Sequence, residues 1–328
     1  MRFKGLAILA GLLLFSATLF SQTTIADVIN KFNDGVAKLN AQEYDVAIGV
    51  FNETLSMCEQ VGAEADDMKA QAQTQIPSTY YRQAALWMKR KQYDKAIPYL
   101  ENTVKYATEY NNNQEYAEKS QQFLQSLYIM EGNKSVAAVK YSEALDFYDK
   151  ALALNPDLPK AHQGKGIVYL KQEDTGKMLS EFNLTKDLAG KKGDNELIKE
   201  INTTIDNYFN PMIFEALQNV DEEDQDYSDV VDACEQAIDA NETNPTAYYV
   251  LCLVNNKEIE YDAAIEYGEK AATYETDENK LALINFELGV AYQATVQYEK
   301  ACEAFNKAMV GDLIEKVEKK KLNVPGCN

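Results

Sequence analysis

Residues 141–169 read YSEALDFYDKALALNPDLPKAHQGKGIVY, and this stretch decides the fold. Its apolar side chains recur at i, i+3, i+4, i+7 and i+8, the spacing of one buried stripe on an amphipathic helix, and they are Ala144, Phe147, Tyr148, Ala151 and Leu152. Asn155 and Pro156 end that helix, because proline lacks the amide hydrogen and restricts the residue before it. A second helix is predicted from near Pro159, with the small Gly166 on its inner side. The stretch therefore predicts two helices joined by a proline-bearing turn.

The same arrangement recurs about seven times between residues 25 and 310, and such self-similarity is typical of repeat proteins. In each unit a small residue lies in the first helix, and an aromatic residue about nine positions later begins the second helix. The positions that define the units include Gly35, Tyr44, Ala84, Tyr93, Gly132, Tyr141, Pro156, Gly166, Tyr261, Gly289 and Tyr298. Two units are weaker: Thr175 replaces the aromatic residue in the fourth, and the fifth, which includes Tyr227, has a longer turn. Together the units resemble the tetratricopeptide repeat (TPR), in which small residues let two helices approach closely.

This resemblance implies an all-α protein, a right-handed α-solenoid of about seven TPR-like helix-turn-helix repeats with a C-terminal capping helix. We expect a signal peptide at residues 1–21, an array of about four repeats at 22–186 and a linking helix or joint at 187–211. A second array of about three repeats is expected at 212–310, and a capping helix with the tail at 311–328.

The joint is predicted because the spacing between second helices is uneven. Gly190, Gly193 and Pro211 bracket a predicted lone helix at about 195–208. The long intervals near the start of the chain predict longer helices or inserted turns, with Pro77 as a helix breaker.

The first residues, MRFKGLAILAGLLLFSATLFSQ, carry Arg2 and Lys4 before an apolar run that is short for a membrane span, with an uncleaved anchor as the alternative to a signal peptide. This pattern is typical of a signal peptide, so we expect an exported protein of the periplasm or the outer membrane. No cysteine lies near the expected cleavage site, so no direct lipid anchor is predicted. Removal of residues 1–21 would leave 30 basic and 52 acidic residues, a net charge of −22. Such a charge repels nucleic acid and favours neutral or basic partners.

The five cysteines allow several disulfide pairings, and they are Cys58, Cys234, Cys252, Cys302 and Cys327. An odd number in an exported chain leaves at least one thiol that is unpaired or pairs with another molecule. Cys302 with Cys327 is one pairing that would join the tail to the last repeat. No C-x-x-C is present, so neither a redox motif nor a zinc site of that type is predicted.

No catalytic, cofactor or metal site is predicted. His162 is the single histidine of the chain, whereas histidine-based catalysis and most zinc sites need further partners that the sequence lacks. The acidic run at residues 221–229 lacks the glycine and the terminal glutamate of a helix-loop-helix calcium site. We interpret that run as a solvated turn, and we expect a protein that is not an enzyme.

The resemblance implies that the first helices line a concave groove, at the positions three before and one after each small residue. The predicted groove residues are Phe32 and Val36, Tyr81 and Ala85, Ile129 and Asn133, Gln163 and Ile167, Tyr249 and Leu253, and Phe286 and Val290. Lys89, Lys171, Asn256 and Lys257 are placed at the rim. Relatives that clamp a terminal carboxylate carry lysine and asparagine at these positions, and only Asn133 fits that pattern.

These expectations favour a non-catalytic adaptor or scaffold that binds a helix or an extended segment of another exported protein. Alternatively, the groove serves a homo-oligomeric scaffold, or the chain itself covers it. A glycan-uptake role is a further alternative, although such proteins need large loop insertions with exposed aromatic residues.

Overall fold

The computed structural model describes residues 23–221 and 225–327, so the predicted signal peptide lies outside the described residues. No β-strand occurs in these ranges. The helices are α1 (Ile25–Asn40), α2 (Tyr44–Val61), α3 (Asp66–Lys89), α4 (Tyr93–Glu109), α5 (Gln114–Ala137), α6 (Tyr141–Leu154), α7 (Pro159–Lys171), α8 (Thr175–Lys192), α9 (Asn195–Gln218), α10 (Ser228–Ala240), α11 (Pro245–Lys257), α12 (Tyr261–Tyr274), α13 (Glu278–Ala294), α14 (Tyr298–Lys307) and α15 (Ile314–Lys321). Among the described residues, no helix has the length and the apolar run that a membrane crossing requires.

Each predicted second helix begins where the repeat pattern places it. α2, α4, α6, α12 and α14 begin at the predicted tyrosines, α8 begins at Thr175, and α10 begins one residue after Tyr227. α7 begins at Pro159, whose fixed backbone angle suits the first helical position. The all-α TPR-type repeat architecture predicted from the sequence is therefore confirmed.

The described residues form two compact units. The first unit comprises residues 23–134 with 153–155, and the second comprises residues 135–152 with 156–327. In the first unit, α1 packs against α2, α2 against α3, and α3 against α4. The second unit repeats this arrangement from α7 to α14. Consecutive packing of this kind lets each helix pair bury the apolar face of its neighbour.

Small residues and fully buried aromatic rings interlock inside the helix pairs. Three such glycine–aromatic contacts lie within a pair, namely Gly35 with Phe51, Gly166 with Phe182, and Gly289 with Phe305, and a fourth joins Gly164 on α7 to Tyr148 on α6. A Cβ atom on Gly35 would lie 2.6 Å from Cε1 of Phe51, closer than van der Waals contact allows. The close approach that the sequence pattern predicts is thus present in both units, and it explains why glycine occupies these positions.

Pro77 does not end a helix, contrary to the prediction, because α3 continues through it as a single helix of 24 residues. The neighbouring Ala72 and Ile76 are fully buried, so tertiary packing stabilises the turn before the proline. Thr79 adds a hydrogen bond within the same turn, since its Oγ1 donates to the carbonyl oxygen of Gln75 at 2.7 Å. The long interval in this part of the chain therefore comes from a long helix.

The helix predicted at about 195–208 is present, but it is longer than predicted and is not a lone helix. α9 is one helix of 24 residues that contains Pro211, and it packs against both α8 and α10. Phe209 and Ile213 lie on either side of the proline and are both buried, so packing stabilises the helix across it. α9 is therefore the first helix of the fifth pair. Residues 187–211 lie within the second unit, and a division of the array there stays a prediction.

The C-terminal tail packs back on the last helix pair. α15 contacts α14, and its Val317 is fully buried. A disulfide joins Cys302 on α14 to Cys327, across 25 residues of sequence, so this pairing is confirmed among those that the sequence left open. The three remaining thiols are free and buried, and they are Cys58, Cys234 and Cys252.

Candidate partner-binding groove

An open cavity lies between α9, α11 and α13, the first helices of the last three pairs. Its volume is about 420 Å³. The apolar side chains that line it are Phe214, Leu217, Tyr249, Leu253, Leu283 and Ile284, together with Asn210, Pro245, Thr246, Glu275 and Lys280. We call this site the apolar cavity.

Helical periodicity brings these residues to one face of each helix. The lining residues are three or four positions apart along the chain, namely Asn210, Phe214 and Leu217 on α9, and Thr246, Tyr249 and Leu253 on α11. Phe214 and Leu283 remain 44% and 39% exposed. The cavity therefore presents two large apolar side chains to solvent.

Asparagine side chains fix α9 against α11 beside the apolar cavity. Asn210 Nδ2 donates to Thr246 Oγ1 at 3.3 Å, and Asn210 Oδ1 accepts from Asn244 Nδ2 at 2.9 Å. Asn244 also caps α11, since its Oδ1 accepts from the backbone amide of Ala247 at 3.1 Å. These bonds connect α9 to the start of α11, two of the three helices that line the cavity.

A second, polar cavity of about 410 Å³ adjoins the first. The two cavities share five lining residues, Asn210, Pro245, Thr246, Glu275 and Lys280, so they form one continuous trough. Further polar side chains that line the second cavity include Asn195, Lys199, Asn202, Thr203, Asp206, Asn207, Asn241, Thr243 and Thr276. We call it the amide cavity, and we call the two cavities together the trough.

Burial shifts the pKa of Asp206 at the amide cavity and that of Lys186 close to it. Asp206 accepts a hydrogen bond from Asn241 Nδ2 at 2.7 Å, and burial raises the pKa of its carboxyl group above the ordinary value. Nearby, Lys186 donates from Nζ to the carbonyl oxygen of Ala240 at 3.3 Å, and burial lowers its pKa. The charges of Asp206 and Lys186 therefore lie in an environment that is less polar than water.

Hydrogen-bonding capacity remains unused in the trough. Asn202 Oδ1 is buried and has no hydrogen-bond partner, and Asn207 on the same helix is exposed. Lys280 Nζ lies 3.9 Å from a carboxylate oxygen of Glu275, a separation too long for a good hydrogen bond. Of these groups, Asn207 is open to solvent at the trough, whereas Asn202 Oδ1 is enclosed.

The predicted groove residues of the second unit divide into two groups. Tyr249 and Leu253 line the apolar cavity, and their role in partner binding stays a prediction. Phe286 instead packs edge-on against the buried ring of Phe305, with 6.0 Å between ring centroids. Val290 and Ile167 also pack against core clusters of the second unit. Gln163 makes a hydrogen bond inside the unit, since its Nε2 donates to Glu200.

In the first unit, Phe32 belongs to the core. It is only 8% exposed, and its ring centroid lies 5.7 Å from that of Phe51. Val36 packs on the same cluster. The remaining predicted positions are Tyr81 and Ile129, which are half-buried, and Ala85 and Asn133, which are exposed. A role of these four residues in binding stays a prediction.

Three of the predicted rim residues, Lys89, Lys171 and Lys257, are exposed. Asn256 is half-buried instead, because its Nδ2 donates to both the carbonyl oxygen and a carboxylate oxygen of Glu287, at 3.0 and 2.9 Å. Asn256 thus connects α11 to α13.

Sequence reasoning missed several residues of the apolar cavity, most notably Phe214, Leu217 and Leu283. The signal for Leu217 was present, because it follows the small Ala216 and so satisfies the same positional rule. Leu283 lies one helical turn before Phe286, and extending the stripe by one turn would have included it.

His162 belongs to a polar network inside the fourth pair. Its Nδ1 lies 2.6 Å from Glu181 Oε2, and its Nε2 lies 3.2 Å from the carbonyl oxygen of Pro156. Lys165 joins the network through Glu181 at 3.1 Å and Asp149 at 3.0 Å. The hydrogen bond with Glu181 raises the pKa of His162. These contacts connect α6, α7 and α8.

Within the ranges that the structure describes, no group of three or more His, Cys, Asp or Glu side chains is placed to hold a metal ion. The acidic run at residues 221–229 is described only in part, since residues 222–224 lie outside those ranges.

Solved TPR structures are similar to this chain at low identity. The TPR domain of P58(IPK) is 14% identical, with 90% of this chain and 98% of that chain covered and a TM-score of 0.30. A TPR protein from Parabacteroides merdae is 11% identical, with 90% and 98% covered and a TM-score of 0.27. The TPR2AB domain of yeast Sti1, solved in a complex with pHSP90, is 14% identical, with 91% and 98% covered and a TM-score of 0.31.

No protein-family model matches the chain, and no curated protein matches its sequence. The chain's own helix pairs, with their glycine–aromatic contacts, give it the TPR-type fold.

Proposed function

We propose that this chain is a non-catalytic adaptor or scaffold of the bacterial cell envelope that holds a segment of a partner protein in the trough. The observation that carries this proposal is the exposure of Phe214 and Leu283, 44% and 39%, within an apolar cavity of about 420 Å³. Large apolar side chains in a concave site contribute binding energy when a partner covers them. The partner is a protein, since a TPR-type array presents an extended surface rather than a closed pocket.

Two observations support a location in the cell envelope. The sequence begins with a basic, then apolar, segment of the signal-peptide type. The disulfide between Cys302 and Cys327 is of a kind that forms and persists in oxidising compartments. Cell fractionation combined with thiol labelling tests this part of the proposal: a chain recovered in the cytoplasm with both thiols reduced would refute it.

The adaptor is tested by crosslinking and capture from the native envelope. The groove variant carries Phe214→Ser and Leu283→Ser, and the matched control carries Met212→Ser and Leu184→Ser. The control residues are 43% and 44% exposed and lie outside the trough, so both variants remove two exposed apolar side chains. We expect a partner that wild type and control capture and that the groove variant loses. Equal capture by all three proteins would refute the proposal.

A homo-oligomeric scaffold that uses the same trough is the alternative, because an uncovered apolar site also favours self-association. Sedimentation of wild type and groove variant distinguishes the two. Wild type that sediments as a monomer excludes the scaffold, whereas an oligomer that the groove variant dissociates favours it over the adaptor.

A further inference from the structure

The disulfide between Cys302 and Cys327 lies beside an open cavity, which we call the tail cavity. Its volume is about 470 Å³, and its lining includes Cys327 together with Lys319 and Lys321 of α15. Cys302 is not among the described residues that line it. Although Cys327 is only 4% exposed, the cavity brings solvent up to it. The two cysteines of the disulfide therefore have different surroundings.

Two polar side chains connect the other sulfur atom to a cation. Asn306 lies one helical turn after Cys302 on α14, and its Nδ2 lies 3.9 Å from Cys302 Sγ, a weak hydrogen bond to sulfur. Asn306 Oδ1 accepts from Lys321 Nζ at 2.8 Å, so the lysine polarises the amide. A neutral disulfide sulfur is a poor acceptor, whereas a thiolate is a strong one, because hydrogen bonds to charged groups are stronger. Lys321 and Asn306 therefore favour the form in which Cys302 carries a negative charge.

These surroundings match the two roles that the sulfur atoms of a disulfide have in thiol–disulfide exchange. An incoming thiolate attacks one sulfur atom, and the other sulfur atom leaves as a thiolate. The exchange is faster when the leaving thiolate is more stable. The tail cavity gives access to Cys327, and Asn306 is placed to stabilise Cys302 as the leaving group.

The tail depends on this disulfide for its position. Val317 is the single buried residue of α15, which is only eight residues long. A helix this short is not stable on its own in water. Val317 and Val324 belong to the same core cluster as Phe305 of the last helix pair. Loss of the disulfide therefore frees the tail and uncovers that cluster.

We propose that the Cys302–Cys327 disulfide is a site of thiol–disulfide exchange with a dithiol, which attacks Cys327 through the tail cavity and so releases the tail from the last helix pair. A thiolate of the dithiol forms a bond to Cys327 Sγ, the disulfide bond breaks, and its electron pair leaves on Cys302 Sγ. The second thiolate of the dithiol then attacks the reagent's own sulfur in the mixed disulfide, and Cys327 leaves as a thiolate. The dithiol is oxidised to a disulfide, and its two protons pass through water to the two reduced cysteines.

A dithiol is required because Cys302 remains close to the mixed disulfide and reverses the first step. The second thiol of the same reagent acts at a high effective concentration and competes with this reversal. This redox reaction does not depend on what the trough binds, so it goes beyond the proposed adaptor function.

Reduction of the folded chain by dithiothreitol tests the exchange site. Samples are alkylated over time, and peptide mapping by mass spectrometry follows Cys302 and Cys327 separately from the three free thiols. Asn306→Leu should slow reduction about three- to tenfold, because the leaving thiolate loses a hydrogen bond that is partly formed in the transition state. Lys321→Met should slow it less. Lys307→Ala, at the next exposed position of α14, is the control and should leave the rate unchanged.

The asparagine variant also distinguishes this role from a purely structural one. The bond between Lys321 and Asn306 joins α15 to α14, so its loss would loosen the tail and speed reduction if it served only to hold the tail. A rate that rises or stays the same in Asn306→Leu would therefore overturn the proposal. The monothiol 2-mercaptoethanol gives a second test, since early samples should carry its adduct on Cys327 and the alkyl group on Cys302. The reverse distribution would also overturn it.

Release of the tail is measured by trypsin cleavage after the lysines at 319–321. We expect cleavage there to be more than about tenfold faster after reduction, because proteolysis follows the population of the open tail. Cleavage after Lys199, an exposed residue of α9, is the internal control and should not change. Equal cleavage of the tail before and after reduction would show that the tail stays in place without the disulfide, and would refute its release.

Discussion

Aromatic residues occur both in the interior of a helix pair and in the trough, but they differ greatly in solvent exposure. Phe182 is fully buried, and its ring fills the space that a side chain at Gly166 would need. Phe214 is 44% exposed and lines the apolar cavity. The comparison shows that an aromatic residue inside a pair stabilises the fold, whereas one in the trough is available for binding.

The largest expected effect is on the free energy of unfolding when each ring is removed. Phe182→Ala should cost about 3–5 kcal/mol, because it leaves a cavity in a packed interior. Phe214→Ala should cost only about 1–2 kcal/mol, since 44% of the residue is already exposed to solvent. Urea unfolding of both variants measures the difference. Similar losses would mean that the trough is part of the core.

The C-terminal end of the array offers a second comparison, because α15 covers the last helix pair and the disulfide between Cys302 and Cys327 joins the tail to it. Cys302→Ser with Cys327→Ser should lower the free energy of unfolding by about 2–4 kcal/mol, the usual effect of removing a disulfide that closes a loop of this size. Hydrogen exchange should increase around Val317 and not around Phe182. Reduction of the wild type is the control and should reproduce the change. An unaltered exchange pattern would contradict a role for the disulfide in holding the tail.

Two glycines extend the comparison, because the same substitution should have opposite effects at the two sites. Gly166→Ala should destabilise the second unit by about 1–3 kcal/mol, since the new methyl group meets the ring of Phe182. Gly190→Ala should stabilise it by up to about 1 kcal/mol, because this exposed helical glycine has room for a methyl group and alanine favours the helix. Thermal unfolding measures both changes. Two changes of the same sign would show that the ring of Phe182 does not restrict the side chain at position 166.

The pair interiors could be predicted from the sequence because close packing leaves few choices. Gly35, Gly166 and Gly289 each meet a ring at the predicted repeat spacing, so periodicity alone located them. The effect of two prolines was predicted wrongly. Pro77 and Pro211 do not end α3 and α9, because burial of the residues on both sides stabilises the helix and overrides the tendency of proline to break it.

The trough could be predicted only in part, for a physical reason. Tyr249 and Leu253 followed from the repeat rule, but Phe286 occupies an equivalent position and packs on Phe305 instead. The amide cavity depends on contacts between residues distant in sequence, such as Asn241 with Asp206, and no helical period records such contacts.

The smallest expected effect is the pH dependence of a polar contact inside the fourth pair. The hydrogen bond with Glu181 raises the pKa of His162, so the folded state favours the protonated ring. Its stabilising contribution is complete below the ordinary pKa of 6.5 and is lost as the pH rises through the raised value. Burial acts to raise the pKa of Glu181, but hydrogen bonds from His162 and Lys165 outweigh it, so that the pKa is lowered. The contribution of Glu181 is therefore lost as the pH falls through that lowered value.

The difference in free energy of unfolding between wild type and His162→Gln measures the histidine contribution directly. We expect a difference of about 1 kcal/mol or less at mildly acidic pH, in the range of partly exposed ion pairs, and a decline above neutrality. Glu181→Gln should remove the pH dependence of this difference, because glutamine cannot hold the charge that favours the imidazolium. A difference that stays constant from acidic to alkaline pH would mean that His162 contributes by packing alone, as the aromatic residues of the pair interiors do.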